Sequence, residues 1–69
     1  MEPYQQRVIN EKAELDARIQ KLNAFLSTAR SDVSIKDIEL LLAQVFAMNA
    51  YSQILGIRMR RFEAIQECN

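Results

Sequence analysis

The chain has 69 residues, with nine basic and nine acidic side chains and a formal net charge of zero. That length holds one small domain, and the charge balance excludes broad neutralisation of duplex DNA phosphates as its main work, though a small anion needs only a few local cations. With 49% apolar residues, one glycine and one proline, the chain is too apolar for disorder and too poor in turns for a sandwich or barrel, so an all-α fold is expected.

The N-terminal Met1–Gln6 segment lacks a basic start followed by an apolar run, so it does not read as a signal peptide. Pro3 suits the first turn of a helix, where its missing N–H costs nothing. A first helix is predicted over about residues 3–29, because Ala, Glu, Lys, Gln, Arg and Leu dominate there. Its strong apolar positions are Val8, Leu15, Ile19, Leu22 and Leu26. Glu11 and Lys12 stand where the stripe should continue, so the seam reads as broken there. Glu14 and Arg18 are four apart with the acid first, which adds a few tenths of a kcal/mol. A helix of this length spans on the order of 40 Å and must lie against something.

The Ser-, Thr- and Asp-rich stretch from Ser27 to Ser34 ends it, with the connection expected at about residues 30–34. Ser34 is placed to cap the next helix, and Asp37 three residues on completes an acidic capping box and complements the positive helix end. Val33 and Ile38 flank the cap as a hydrophobic staple. Ser34→Ala should therefore cost roughly 1 kcal/mol in denaturant unfolding.

A second helix follows over about residues 35–65. Ile38, Leu41, Val45, Met48, Ser52, Leu55, Met59 and Phe62 repeat at alternating spacings of three and four, the seam of helices packed along their length. Around its first half Leu40, Leu42, Ala43, Phe46, Ala47 and Ala50 make the helix apolar on almost every side. Such a helix is buried from more than one direction. Ser52, the polar seam position, needs a hydrogen-bond partner, and Gly56 costs about 1 kcal/mol unless something packs closely on it. The longest apolar block, Leu40 to Met48 with Gln44 inside it, falls short of the roughly 20 residues a membrane span needs. The expectation is a soluble protein of the cytoplasm.

Two long helices with a short connection make an antiparallel hairpin. One hairpin buries one stripe per helix, and each further buried Leu, Val or Phe is worth roughly 1.5–3 kcal/mol. Leaving several of them wet outweighs the ~5–15 kcal/mol by which domains are stable. A compact homo-oligomer is the expected architecture.

Catalysis finds no purchase. Histidine is absent and Cys68 is the sole cysteine, which removes the commonest general base, the usual zinc ligands and any Ser-His or Cys-His pair. Glu11 and Glu14 lack the Glu-x-x-His partners of a di-metal bundle, and one glycine cannot build a phosphate loop. No enzyme activity, metal or cofactor is expected. Binding remains. Tyr4, Tyr51 and Phe62 are aromatics suited to an edge, and Tyr4 in particular is odd as core but natural as a ring stacked on a base or a partner. Arg7 lies one turn on, with Arg18 and Lys21 further down the same helix. Arg58, Arg60 and Arg61 crowd the end of the second helix, where they either complement its negative end or converge about a symmetry axis on an anion.

Three stretches of the first helix, Pro3-Tyr4-Gln5-Gln6-Arg7-Val8, Glu11-Lys12-Ala13-Glu14-Leu15-Asp16 and Lys21-Leu22-Asn23-Ala24-Phe25-Leu26, resemble a group of small phage proteins. Leu41-Leu42, Met48 and Tyr51-Ser52-Gln53-Ile54-Leu55-Gly56-Ile57-Arg58 are similar to the same group, so the likeness runs from Pro3 to Phe62. These proteins resemble the anti-CBASS sponges, which capture the cyclic oligonucleotides that a bacterial defence makes on infection. The resemblance implies a helical homohexamer in the host cytoplasm that binds cyclic di- or trinucleotides and cleaves nothing. It implies that Tyr4 stacks on bases of a dinucleotide between two protomers, with Lys21 or Arg18 at the phosphates. Arg58, in the Leu-Gly-x-Arg segment, is the implied residue of a separate trinucleotide site near a three-fold axis. The alternative is a helical protein–protein interaction module or inhibitor of a host protein, and a weaker one is nucleic-acid binding through Arg58, Arg60 and Arg61.

Overall fold

The computed structural model describes residues 1–28 and 33–67. Helix α1 runs Pro3–Ser27 and helix α2 runs Ile35–Glu67. They pack antiparallel into a rod of 56 × 15 × 15 Å, an all-α helical hairpin. The expected connection at 30–34 falls mostly on residues 29–32, outside the described residues, as does Cys68.

Local chemistry accounts for the described helix ends. Glu2 N–H donates to Gln5 Oε1 at 2.9 Å, and Pro3 occupies the position where no N–H is needed. At the other end of α1 the hydroxyls of Ser27 and Thr28 donate to Ala24 O at 2.8 and 3.2 Å, occupying a carbonyl left over by the last turn. Ser34 Oγ accepts from Asp37 N–H at 3.1 Å, the N-cap bond that starts α2.

The three-and-four seam of α2 faces α1 along its whole length. Val45, Ser52 and Leu55 are buried, and Ile38, Leu41, Met48, Met59 and Phe62 are half-buried. Leu55 is sealed completely, against a core of Val8, Leu15 and Ile19. The residues that made α2 apolar all round behave differently. Leu40, Leu42, Ala43, Phe46, Ala47 and Ala50 are exposed, as are Ile54 and Ile57, because a single α1 covers one side only.

Two expectations need correction. The α1 seam is interrupted in polarity but not in packing, since Lys12 is half-buried at the place where the stripe seemed to break. The estimate from Leu40–Met48 also missed that α2 from Ile35 to Phe62 is long and apolar enough to cross a membrane by length and composition. Gln44, Asn49, Ser52 and Gln53 interrupt the apolar block, but Leu40 to Ile57 holds no charged residue and its many Leu, Ile, Val, Phe, Met and Ala side chains outweigh them.

Candidate functional site

Two polar features tie the helices in register. Lys12 Nζ donates to Asp16 Oδ2 at 2.7 Å and to Ser52 Oγ at 3.1 Å, and Ser52 Oγ donates to Asp16 Oδ1 at 2.5 Å. This closed triangle supplies the partner that Ser52 requires in the seam. Gly56 makes room for it, because a Cβ there would stand 3.3 Å from Lys12 Cε. One residue back on each helix, on the exposed surface, Tyr51 Oη donates to Glu11 Oε2 at 2.5 Å. Lys12 also borders an open hollow of about 390 Å³ with Ser52, Gln53, Gly56, Ile57 and Arg60.

Both features titrate. The hydrogen bond from Lys12, joined by that from Ser52, holds the Asp16 carboxyl below its ordinary value. A carboxylate depressed on folding stabilises the fold above its unfolded pKa and stops doing so as pH falls through the folded one. Thermal stability should therefore drop on the acid side of about pH 4, and drop less in Asp16→Asn. Ser52→Ala removes one donor to Asp16 and should cost about 1 kcal/mol in unfolding. It should also move the Asp16 pKa back toward its ordinary value in an NMR titration. The Glu11 carboxylate pushes the Tyr51 phenol up, since it accepts from the protonated form.

The open end of the hairpin carries a different kind of chemistry. The first turn of α1 brings Tyr4 onto Phe62, the last residue of the seam, with ring centroids 5.6 Å apart and planes at 88°. This edge-to-face geometry is favoured by the ring quadrupoles. Tyr4 stays 45% exposed, so its other surface is free to stack. Together with Arg58 and Arg61 the two rings line a cavity of about 220 Å³. An aromatic floor beside two guanidinium groups suits a planar base attached to a phosphate.

The sequence-derived candidates thus divide. Tyr4 and Arg58, assigned by resemblance to separate sites, line one cavity within one chain. Arg7 is exposed one turn from Tyr4. Arg18 is exposed and faces Glu14 at 4.0 Å, and Lys21 is exposed as well. Along α1 these two lie roughly 21 and 25 Å from Tyr4 at 1.5 Å per residue. No small ligand touches both groups of one protomer. Arg61 and Phe62, which the sequence offers only as one arginine of a cluster and one aromatic suited to an edge, complete the cavity. Phe62 was findable, because an antiparallel hairpin sets the end of one seam beside the start of the other helix. Arg61 was one of three neighbouring arginines with nothing in the pattern to single it out.

Among the described residues, the fold and its open end define a small two-helix protein with a cavity lined by aromatic rings and arginines. The Sequestin family model matches residues 2–61, and the chain belongs to that family, whose name denotes sequestration. No curated protein and no solved structure matches the chain.

Proposed function

We propose that this protein binds cyclic di- or trinucleotide messengers and holds them out of solution without cleaving them, as a phage-encoded sponge acting in the host cytoplasm. The observation that carries this reading is the cavity of Tyr4, Phe62, Arg58 and Arg61. It combines a stacking surface with fixed cations, the two things a nucleotide offers a partner for. Membership of a family named for sequestration supports the same reading. A chain with no histidine and no second glycine supplies little for hydrolysis.

Size adds a condition. Pockets that enclose small ligands measure roughly 300–1,000 Å³, whereas this cavity holds about 220 Å³. A cyclic dinucleotide is therefore only cradled by one chain, and a second protomer must complete the site, as it would in a homohexamer. Arg18 and Lys21 reach the same ligand only from such a neighbour. We read the exposed apolar side of α2 as covered by copies of the chain and not by lipid, because α1, with Glu11, Lys12, Glu14, Asp16 and Arg18 along it, is hydrogen-bonded across α2 and would have to be carried into the bilayer with it.

Titration calorimetry with cyclic di- and trinucleotides tests the proposal. Saturable heat, followed by recovery of unchanged nucleotide after heat denaturation, is the expected result. An absence of heat with every cyclic nucleotide well above micromolar concentration refutes it. In that event the exposed apolar face of α2 favours the second reading, a helical module that binds or inhibits a host protein.

A further inference from the structure

The outer side of α2 carries a second seam that the hairpin leaves empty. Leu40, Ala43, Ala47, Ala50, Ile54 and Ile57 follow one another at spacings of three, four, three, four and three, and all six are exposed. At 100° per residue this line runs about 150° round the helix from the seam that packs on α1. Leu40 is 65%, Ile54 53% and Ile57 48% exposed. Contiguous apolar surface of this kind marks a partner site on a soluble protein. The alanines in its middle are small enough for another helix to come close.

We propose that the occupant is a second copy of the chain, paired antiparallel through this seam about a two-fold axis between Met48 and Asn49. In that register Leu40 meets the partner's Ile57, Ala43 meets the partner's Ile54, and Ala47 meets the partner's Ala50. The order of residue sizes is thus self-complementary, as a two-fold interface requires. Charge selects the same arrangement. Antiparallel pairing sets Asp37 beside the partner's Arg58 and Glu39 beside the partner's Arg60, and symmetry repeats both pairs. Parallel pairing would instead set Glu39 against Gln44, Phe46 against Tyr51 and Gln53 against Arg58, with no opposite charges at all. Lys36 meets the partner's Arg61 at each end of the antiparallel seam, and this like-charge layer terminates it.

The pairing has a consequence for the open end. Arg58 lines the Tyr4 cavity, so the partner's first turn of α2 arrives at the cavity rim and extends a site too small to close by itself. The proposal rests on the pattern and exposure of α2, and it stands or falls apart from the ligand reading.

The test uses the full chain carrying Cys68→Ser, with Ala47→Cys in one preparation and Ala50→Cys in another. Disulfides form only where Cα atoms lie within about 7 Å. Mild oxidation of the mixture should give the cross-linked dimer about tenfold faster than either preparation alone. Faster cross-linking of each variant with itself would show a parallel pair and overturn the proposal. Glu39→Arg should weaken association about tenfold in sedimentation equilibrium, and Arg60→Glu in the same chain should restore it. A wild-type protein that sediments as a monomer at micromolar concentration, with or without cyclic nucleotide, also overturns it.

Discussion

Leu55→Ala should lower the free energy of unfolding by about 3 kcal/mol, the largest effect of any single apolar truncation in the hairpin. Leu55 has no exposed surface at all, and it packs against Val8, Leu15 and Ile19 on the facing helix. Truncation loses the transfer free energy of the isopropyl group and leaves a void where the two helices meet, which rigid packed helices only partly close. A chain of this size is stable by roughly 3–10 kcal/mol at 0.05–0.15 kcal/mol per residue, so the variant sits near the limit of folding. Urea unfolding at matched protein concentrations measures the change, because self-association adds a concentration-dependent term. Leu40→Ala is the control. Leu40 is 65% exposed on the hairpin, so it should matter little at low concentration and more as copies assemble. Equal costs for the two variants in dilute solution would contradict the placement of the core.

Tyr4→Ala should weaken cyclic-nucleotide capture by about tenfold to a hundredfold, since stacking contributes ~1–3 kcal/mol per base. The ring is half-exposed and held edge-on to Phe62, so it is presented to a ligand at little further entropic cost. Tyr4→Phe keeps the stacking face and should retain most of the affinity. Helicity and sedimentation should stay as in the wild type, which separates loss of a contact from loss of the fold. Arg58 lines the same cavity as Tyr4, so Arg58→Ala should weaken dinucleotide and trinucleotide capture alike. Selective loss of the trinucleotide would restore the division into two sites that the family resemblance implied.

Most of the fold was legible because a helix repeats every 3.6 residues and each strong signal is local. The alternating spacing from Ile38 to Phe62 told which side of α2 meets α1, and every one of those positions is buried or half-buried. Ser34 and its bond to Asp37 N–H lie three residues apart, within reach of pattern reading. Lys12 was misread because a charge in an apolar stripe looks like a gap. Its partner Ser52 is 40 positions away, and no local pattern joins them. The site was legible in part. Tyr4 stood out by its place near the terminus, but its neighbours Arg58, Arg61 and Phe62 are drawn from the far end of the chain.

By itself, then, the sequence determined two long helices, their inner faces, the start of α2 and an excess of apolar surface, because each depends on spacing within one helix. Only the tertiary structure decided that Tyr4 and Arg58 share one cavity, that Lys12, Asp16 and Ser52 close a triangle, and that Gly56 makes room for a lysine. Those contacts depend on the register between two antiparallel rods. A slide of one helical turn, about 5.4 Å, would break all of them without changing a single local pattern.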